Sequence, residues 1–226
     1  MLHGFAGTAR HWDRVLAELD GERYSAIALE LAQADPLSFD GARVLVERAP
    51  AERFVLCGYS MGGRIALNIA LALPQRVSRL VLVSSSPGID DASARAERLA
   101  ADEQLARDIE VGGVESFIAR WRRTELFATD PEWVQQAVAE DTRRLTAEQI
   151  AGTLRAYSSG RLDGLADRLD LLTMPVVVLA GARDRGYCAI GRRIARAAAQ
   201  GEYIEVPGVG HRLTIEAPAS VAAAIG

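Results

Sequence analysis

A serine flanked by glycines, in the run Gly-Tyr-Ser-Met-Gly at 58–62, limits the possible folds of this chain more than any other segment. Residues 53–57 before it have the short apolar pattern of a buried strand, and residues 61–73 after it have the period of an apolar helix. A sharp turn between the two strains the backbone of Ser60, and the glycines let neighbouring main chain come close. The run therefore predicts a strand, a tight turn and a helix, with the Ser60 hydroxyl at the helix N-terminus.

Short apolar runs alternate with helical patterns along much of the chain, which predicts an α/β fold with a mostly parallel sheet flanked by helices. The expected strands are 25–29, 53–57, 79–84, 175–180 and 203–206, with residues 1–3 as the end of another. The expected helices are 10–19, 39–48, 61–73, 187–199 and 217–225.

Residues 90–171 break this alternation, because they contain amphipathic helical sequence rich in Arg, Glu and Ala and no convincing strand. A helical block between two strands of a parallel sheet predicts an inserted helical cap. We therefore expect residues 1–89 and 172–226 to form the core and residues 90–171 to form the cap, within one folding unit.

The composition excludes several classes of partner. A net charge of −4 with interspersed acids and bases argues against nucleic acid or an anionic membrane. Two cysteines, Cys57 and Cys188, cannot form a disulfide framework, and no apolar stretch or N-terminal pattern suits a membrane span or a signal peptide. We expect a cytoplasmic protein without a metal or cofactor, because neither metal-ligand spacing nor a phosphate-binding loop occurs. The sequence does not indicate the oligomeric state.

An activated serine needs a base and, usually, a carboxylate that orients the base. His211 follows the predicted strand 203–206, at a carboxyl end where ligands collect in open α/β sheets. Asp184 follows the preceding predicted strand, where a carboxylate also suits the N-terminus of the next helix. Ser60, Asp184 and His211 are therefore the candidate catalytic residues.

Two main-chain N–H groups are candidates for binding a developing oxyanion. One belongs to Met61, directly after the serine, and the other to Phe5 in the loop after the first apolar segment. We expect His3 to have a structural role in that loop, and His11 has no assigned role.

Four separated segments together resemble the α/β-hydrolase superfamily over nearly the whole chain. They are His-Gly-Phe at 3–5, Gly-Tyr-Ser-Met-Gly-Gly-Arg at 58–64, Gly-x-x-Asp at 181–184 and Gly-His at 210–211. The resemblance implies the fold and the serine, histidine and acid, but fold alone does not imply a reaction.

Three further segments resemble the 2-succinyl-6-hydroxy-2,4-cyclohexadiene-1-carboxylate (SHCHC) synthases of menaquinone biosynthesis. They read Ser-Pro-Gly-Ile at 86–89, Arg-Ala-Glu-Arg at 95–98 and Phe-Ile-Ala-Arg-Trp at 117–121. The resemblance implies a lyase that eliminates pyruvate from a substrate with several carboxylates. In that family the serine–histidine pair is the base that removes a carbon-bound proton, and arginines hold the anionic substrate.

Carried over by position, the resemblance implies a set of substrate-binding residues: Tyr59, Arg64, Arg98, Trp121 and Arg143, or Arg144 if the alignment shifts by one. The opposing interpretation is that arginines of a helical segment this rich in Arg are a solvated face paired with Glu or Asp.

The sequence departs from the family pattern in two places. The chain begins at the His-Gly-Phe segment, so we expect N-terminal strands to be missing or reduced, and residues 29–36 replace the usual Asp-x-Pro-Gly-His-Gly loop.

Two other functions stay open. The first alternative function is a carboxylic-ester hydrolase that uses Ser60 as a covalent nucleophile on a small acyl substrate. The second is a non-catalytic binding protein of the same fold.

Overall fold

Four parallel strands form the central sheet, in the spatial order β1–β2–β3–β4, in a computed structural model that describes residues 1–226. Each strand lies within two residues of a predicted one. Their bounds are β1 Phe54–Tyr59, β2 Val77–Val83, β3 Val176–Gly181 and β4 Gly201–Val206. The central β3, Val-Val-Val-Leu-Ala-Gly, is buried along its whole length, as expected for a parallel strand covered on both faces.

The first sheet edge is shorter than the sequence predicts. Residues 25–29 and 1–3 do not form strands, and only single bridges join Leu2 to Leu29 and Leu2 to Gly58. The main chain pairs with β1 through just two bonds, from Leu2 N to the Cys57 oxygen and from Tyr59 N to the Leu2 oxygen. The pairing ends there because the chain leaves the sheet after His3 to form the loop beside the serine.

Nine α-helices surround the sheet, and three short 3-10 helices occupy connections. The α-helices are α1 Asp13–Glu18, α2 Phe39–Glu47, α3 Met61–Ala72, α4 Ala92–Trp121, α5 Glu132–Thr142, α6 Ala147–Tyr157, α7 Arg185–Ala197, α8 Leu213–Glu216 and α9 Pro218–Ile225. The 3-10 helices are Ala9–Trp12, Leu31–Gln33 and Ala166–Leu171. The predicted helix 10–19 is thus a 3-10 turn followed by α1. None of the helices combines the length and the apolar character that a membrane crossing needs.

The strands present alternate side chains to two apolar layers. Leu80 and Leu82 of β2 join the cluster formed with α2, α3 and α7, whereas Val81 and Val83 join the cluster formed with α1 and α9. This alternation follows from the two-residue period of a strand. Because all four strands are parallel, their carboxyl ends lie at one edge of the sheet.

Three helices, α4, α5 and α6, lie between β2 and β3, in the region for which the sequence predicts a cap; we call them the insertion helices. The helix α4 is interrupted at Gly113, which has a φ of 75°. A third apolar cluster packs Ile109 and Phe117 of α4 against Leu154 of α6, and it includes Ala6 of the loop beside the serine. The division of the chain into a core and a separate cap stays a prediction.

Candidate active site

Ser60 sits at the tip of the turn between β1 and α3, with a φ of 52°. A side chain at either flanking glycine would collide with main chain, because a Cβ at Gly58 would lie 2.3 Å from the Gly62 oxygen and one at Gly62 would lie 2.2 Å from the Leu2 oxygen. The glycines therefore permit the close approach that holds the serine in a left-handed conformation which L-residues rarely adopt. The local pattern at 58–62 folds as the sequence predicts.

The structure brings Ser60, His211 and Asp184 together from three separate loops. His211 Nε2 lies 3.0 Å from Ser60 Oγ, and His211 Nδ1 lies 2.6 Å from Asp184 Oδ2. The other carboxylate oxygen of Asp184 accepts a hydrogen bond from Tyr187 N at 3.2 Å and so caps α7. Asp184 therefore both caps a helix and contacts the imidazole, through two different oxygens.

His211 is buried, with 1% of its surface exposed. Burial lowers the pKa of its imidazole, while the hydrogen bond and charge of Asp184 act in the opposite direction. The net result is a ring that is neutral at neutral pH, as a general base must be. An Nδ1–H donated to Asp184 leaves the Nε2 lone pair directed at the Ser60 hydroxyl.

Both predicted oxyanion-binding residues line the cavity next to the serine. Met61 is the first residue of α3, so its N–H belongs to the unsatisfied first turn of a helix. Phe5 lies in the loop between the first sheet bridge and the 3-10 helix, and its N–H donates to no group of the protein. A Cβ at Gly4 would lie 3.5 Å from Ser60 Cβ, which indicates how closely this loop approaches the serine.

The Ser60 hydroxyl faces a cavity of about 280 Å³ between the sheet edge and the insertion helices. Four of the predicted substrate-binding residues line it: Tyr59, Arg64, Arg98 and Trp121. The cavity combines apolar walls with a small number of cationic and hydroxyl groups, the usual character of a small-molecule site.

Arg64 directs a charged group toward this cavity from α3. Its Nη2 donates to the Tyr157 oxygen at 3.0 Å, whereas its buried Nε has no partner in the protein. Burial lowers the pKa of Arg64 to about 10, which still leaves the guanidinium charged at neutral pH. An unpaired buried donor is costly, so this atom is a candidate for contact with an anionic ligand.

Arg98 lines the same cavity from α4, and it is anchored at one atom. Its Nε donates to Asp102 Oδ1 at 2.8 Å, and Asp102 Oδ2 accepts from Ser158 Oγ at 2.7 Å. Asp102 is buried, whereas the Arg98 side chain is half-exposed. Asp102 thus orients the guanidinium and leaves its Nη groups without a partner in the protein.

Aromatic rings contribute to the apolar lining of the cavity. Trp121 contacts Phe5 edge-on at 5.4 Å between ring centroids and stacks on Phe117 at 5.5 Å. Tyr59 lies 5.6 Å from the ring of His211, and burial raises the pKa of its phenol, which stays neutral. These side chains shield one side of the catalytic cluster from water.

The structure does not bring Arg143 or Arg144 to the cavity, which corrects the expectation from the resemblance. Arg143 follows the last residue of α5 and faces outward, where its Nε and Nη2 contact the carboxylate of Glu115 at 2.8 and 3.0 Å. Its side chain is 48% exposed. Arg143 is therefore a solvated arginine paired with a glutamate, as the opposing interpretation expects. Arg144 lines a separate surface depression beside His11.

Arg212, which no sequence argument singled out, also lines the cavity. It is buried, its Nε donates to Asp130 Oδ2 at 2.6 Å, and its guanidinium carbon lies 4.0 Å from the ring centroid of Phe127. Its position directly after His211 was the one available signal. Nothing local marks Asp130 or Phe127, because their relevance depends on how the connection between α4 and α5 folds over the histidine.

Comparison with known proteins agrees with this geometry. A model of the alpha/beta hydrolase family matches residues 1–224. A putative 2-succinyl-6-hydroxy-2,4-cyclohexadiene-1-carboxylate synthase of Bacillus subtilis is 31% identical over 96% of this chain and 84% of its own length. The synthase of that name from Salmonella arizonae is 30% identical over 86% of this chain and 80% of its own length.

Solved structures give the same result. The structure described as MenH from S. aureus superposes with a TM-score of 0.85 at 25% identity, covering 98% of this chain and 89% of that one. An esterase from Thermogutta terrifontis has a TM-score of 0.69 at 21% identity, over 99% of this chain and 86% of that one, and shows likeness of fold alone. The chain belongs to the alpha/beta hydrolase family and, within it, to the family of the 2-succinyl-6-hydroxy-2,4-cyclohexadiene-1-carboxylate synthases.

Proposed function

We propose that this protein is an SHCHC synthase, a lyase of menaquinone biosynthesis that eliminates pyruvate from a substrate with several carboxylates. The observation that carries the proposal is that one cavity is lined by Ser60, whose hydroxyl contacts His211, and by Arg64 and Arg98. A pocket for a neutral ester has little use for converging arginines. The synthases among its relatives support the same conclusion.

In the proposed reaction Ser60 and His211 act together as the base. Neutral His211 withdraws the hydroxyl proton through Nε2 while Ser60 Oγ takes the carbon-bound proton of the substrate. The electrons of the broken C–H bond form a carbon–carbon double bond as the carbon–oxygen bond to the leaving group breaks. The pyruvate enolate that leaves takes the proton from the imidazolium on its methylene carbon and becomes pyruvate, which returns His211 to its neutral form. Asp184 stabilises the transient positive charge on the ring.

The N–H groups of Phe5 and Met61 are proposed to bind the oxygen on which negative charge develops. Removing a carbon-bound proton produces an enolate-like transition state, which fixed donors stabilise more than they stabilise the ground state. One such donor is worth about 2.7–4 kcal/mol in comparable sites. The serine in this proposal never becomes acylated, in contrast to its role in an esterase.

Arg64 and Arg98 are proposed to bind carboxylates of the substrate. A guanidinium offers two parallel N–H donors to a carboxylate and keeps its charge at any working pH. The unpartnered Nε of Arg64 and the Nη groups of Arg98 suit this contact. Trp121 and Tyr59 would pack on the carbon skeleton. We further propose a small anionic molecule as the partner and the cytoplasm as the compartment.

A direct comparison of two substrates tests the function. The purified protein is given the precursor carboxylate of the pathway, with pyruvate release coupled to lactate dehydrogenase, and separately given p-nitrophenyl acetate. We expect catalytic pyruvate release with slow ester turnover and no burst of p-nitrophenol. Rapid ester turnover with a burst, together with no pyruvate release, would identify the protein as a carboxylic-ester hydrolase instead.

A further inference from the structure

The end of helix α5 is fastened to the loop that carries Phe5. Asp141 accepts two hydrogen bonds from Thr8, one from the main-chain N to Oδ2 at 2.8 Å and one from Oγ1 to Oδ1 at 2.6 Å. The next residue, Thr142, donates from its hydroxyl to the Ala6 oxygen at 2.9 Å. Two consecutive side chains of an insertion helix therefore hold residues 6–8, more than 130 positions away in sequence.

The loop at residues 6–8 contains an unfavourable backbone conformation that needs surrounding contacts to maintain it. Ala6 has a φ of 57°, in the left-handed region that non-glycine residues rarely occupy. Such a residue stays there only when surrounding contacts over-determine it. The Ala6 carbonyl is the atom that Thr142 holds, so the contact acts on the residue directly after Phe5.

The burial of Asp141 indicates that its hydrogen bonds matter. The residue is 8% exposed, and no Arg or Lys forms an ion pair with it. Its nearest titratable neighbour is His11, with Nε2 at 3.4 Å, and burial lowers the pKa of that ring to about 4. A buried carboxylate is costly unless strong donors solvate it, and here the donors belong to Thr8.

The core packs against Phe5, but its hydrogen bonds reach only the flanks of the same loop. Glu30 accepts from Ala9 N at 3.1 Å and contacts His3, whose other ring nitrogen lies 2.9 Å from the Gly4 oxygen. Apart from a long internal bond from Gly7 N to the Gly4 oxygen at 3.4 Å, the hydrogen bonds that fix the middle of the loop come from Asp141 and Thr142 of α5. The orientation of the Phe5 N–H therefore depends on the placement of α5.

We propose that Asp141 and Thr142 are positioning residues of the reaction, which hold residues 6–8 so that the Phe5 N–H points at the oxygen that gains negative charge. In this arrangement the insertion helices contribute to oxyanion binding through the main chain of the core loop. The inference rests on the function proposed above. In this proposal the end of α5 contributes to the reaction through Asp141 and Thr142, and not through Arg143 as the resemblance implied.

The geometry separates this role from simple stabilisation. A displaced N–H donor weakens binding of the transition state but leaves ground-state contacts of Arg64 and Arg98 intact, so kcat should fall while KM stays. Misplacement by about 1 Å can cost on the order of 100-fold in rate. A purely structural contact would lower stability without this selective effect on kcat.

The test compares four variants of the full chain in the pyruvate-release assay. Thr142→Val and Asp141→Ala remove the contacts, and Thr142→Ser restores the hydroxyl. Thr153→Val is the matched control, because the buried Thr153 hydroxyl donates to the Gln149 oxygen within α6 and does not line the cavity. We expect Thr142→Val and Asp141→Ala to lower kcat by about 10- to 100-fold with KM nearly unchanged. Thr142→Ser and Thr153→Val should stay within roughly threefold of wild type.

A second reaction separates failure of this inference from failure of the proposed function. A fluorophosphonate that labels Ser60 places its phosphoryl oxygen at the same N–H donors, so Thr142→Val should slow labelling by a similar factor. If the wild type releases no pyruvate, the proposed function fails, and the labelling rates still test the positioning role. Unchanged kcat and unchanged labelling in both Thr142→Val and Asp141→Ala would overturn the inference. So would losses of the same size in Thr153→Val.

Discussion

Arg212 donates from Nε to Oδ2 of Asp130 at 2.6 Å, an ion pair in which both residues are buried. The pair joins the residue after His211 to the connection between α4 and α5. Phe127 of the same connection lies against both Arg212 and His211, with ring centroids 5.6 Å apart for the aromatic pair. The contact therefore fixes this connection over the catalytic histidine.

The Arg212–Asp130 pair should contribute to stability mainly because either partner alone would be costly. Asp130→Ala leaves a buried guanidinium uncompensated, and we expect it to lower the free energy of unfolding by about 3–5 kcal/mol. The double variant Arg212→Met with Asp130→Leu should recover much of this loss. Urea unfolding measures both. A double variant that is less stable than Asp130→Ala would contradict this account.

The pH dependence of activity should follow the lowered pKa of His211. The ring must be neutral to act as a base, and burial holds its pKa below the ordinary 6.5. The rate constant kcat/KM should therefore rise with pH along an acidic limb centred below 6.5 and be level at neutral pH. Pyruvate release measured across the pH range tests this. A limb centred above 7 would show that the Asp184 contact outweighs burial.

The arginines should discriminate between anionic and neutral substrates. Hydrogen bonds to charged groups contribute about 1.5–3 kcal/mol, so Arg64→Ala or Arg98→Ala should weaken the pathway substrate by roughly 10- to 100-fold in kcat/KM. Hydrolysis of a neutral ester should change little. Arg143→Ala is the matched control, since its side chain pairs with Glu115 outside the cavity. Equal losses with both substrates would remove the assigned role.

The buried His11 should make the fold sensitive to acid. Its pKa is about 4 in the folded chain and 6.5 in the unfolded one, so the unfolded state binds the extra proton between these values. The free energy of unfolding should be fully retained above 6.5 and fall as pH drops toward 4, by about 3 kcal/mol at most from this residue. His11→Phe should lessen this fall in urea unfolding at several pH values. An equally steep fall in the variant would contradict the assignment.

The sequence predicts those parts of the site that local chemistry determines. The turn at Ser60 depends on local sequence, because Gly58 and Gly62 let the main chain come close on either side of the serine. The structure contains this turn at the predicted position. The sequence predicts Asp184 and His211 because each follows a strand whose carboxyl end lies at the same sheet edge. Apolar side chains identify buried strands, which is why the sequence predicts β1, β2 and β3 within two residues. The strand β4 is predicted as closely, although only Val206 at its end is fully buried.

The features that the sequence predicts wrongly or misses have a common physical cause: each depends on tertiary contacts between segments that are distant in sequence. Residues 25–29 have a strand-like composition, but a single bridge, between Leu2 and Leu29, pairs them with the neighbouring chain. The direction of Arg143 depends on where α5 ends and on Glu115 of α4. Asp130 lies 82 positions before Arg212, and no local pattern joins the two.

The most direct test of the central claim is pyruvate release by Ser60→Ala and His211→Ala in comparison with wild type. Because the serine and the histidine act as one base, each variant should lower kcat by several orders of magnitude while circular dichroism shows an intact fold. The two losses should be of similar size, and the double variant should lose little more. Pyruvate release by Ser60→Ala at the wild-type rate would contradict the account.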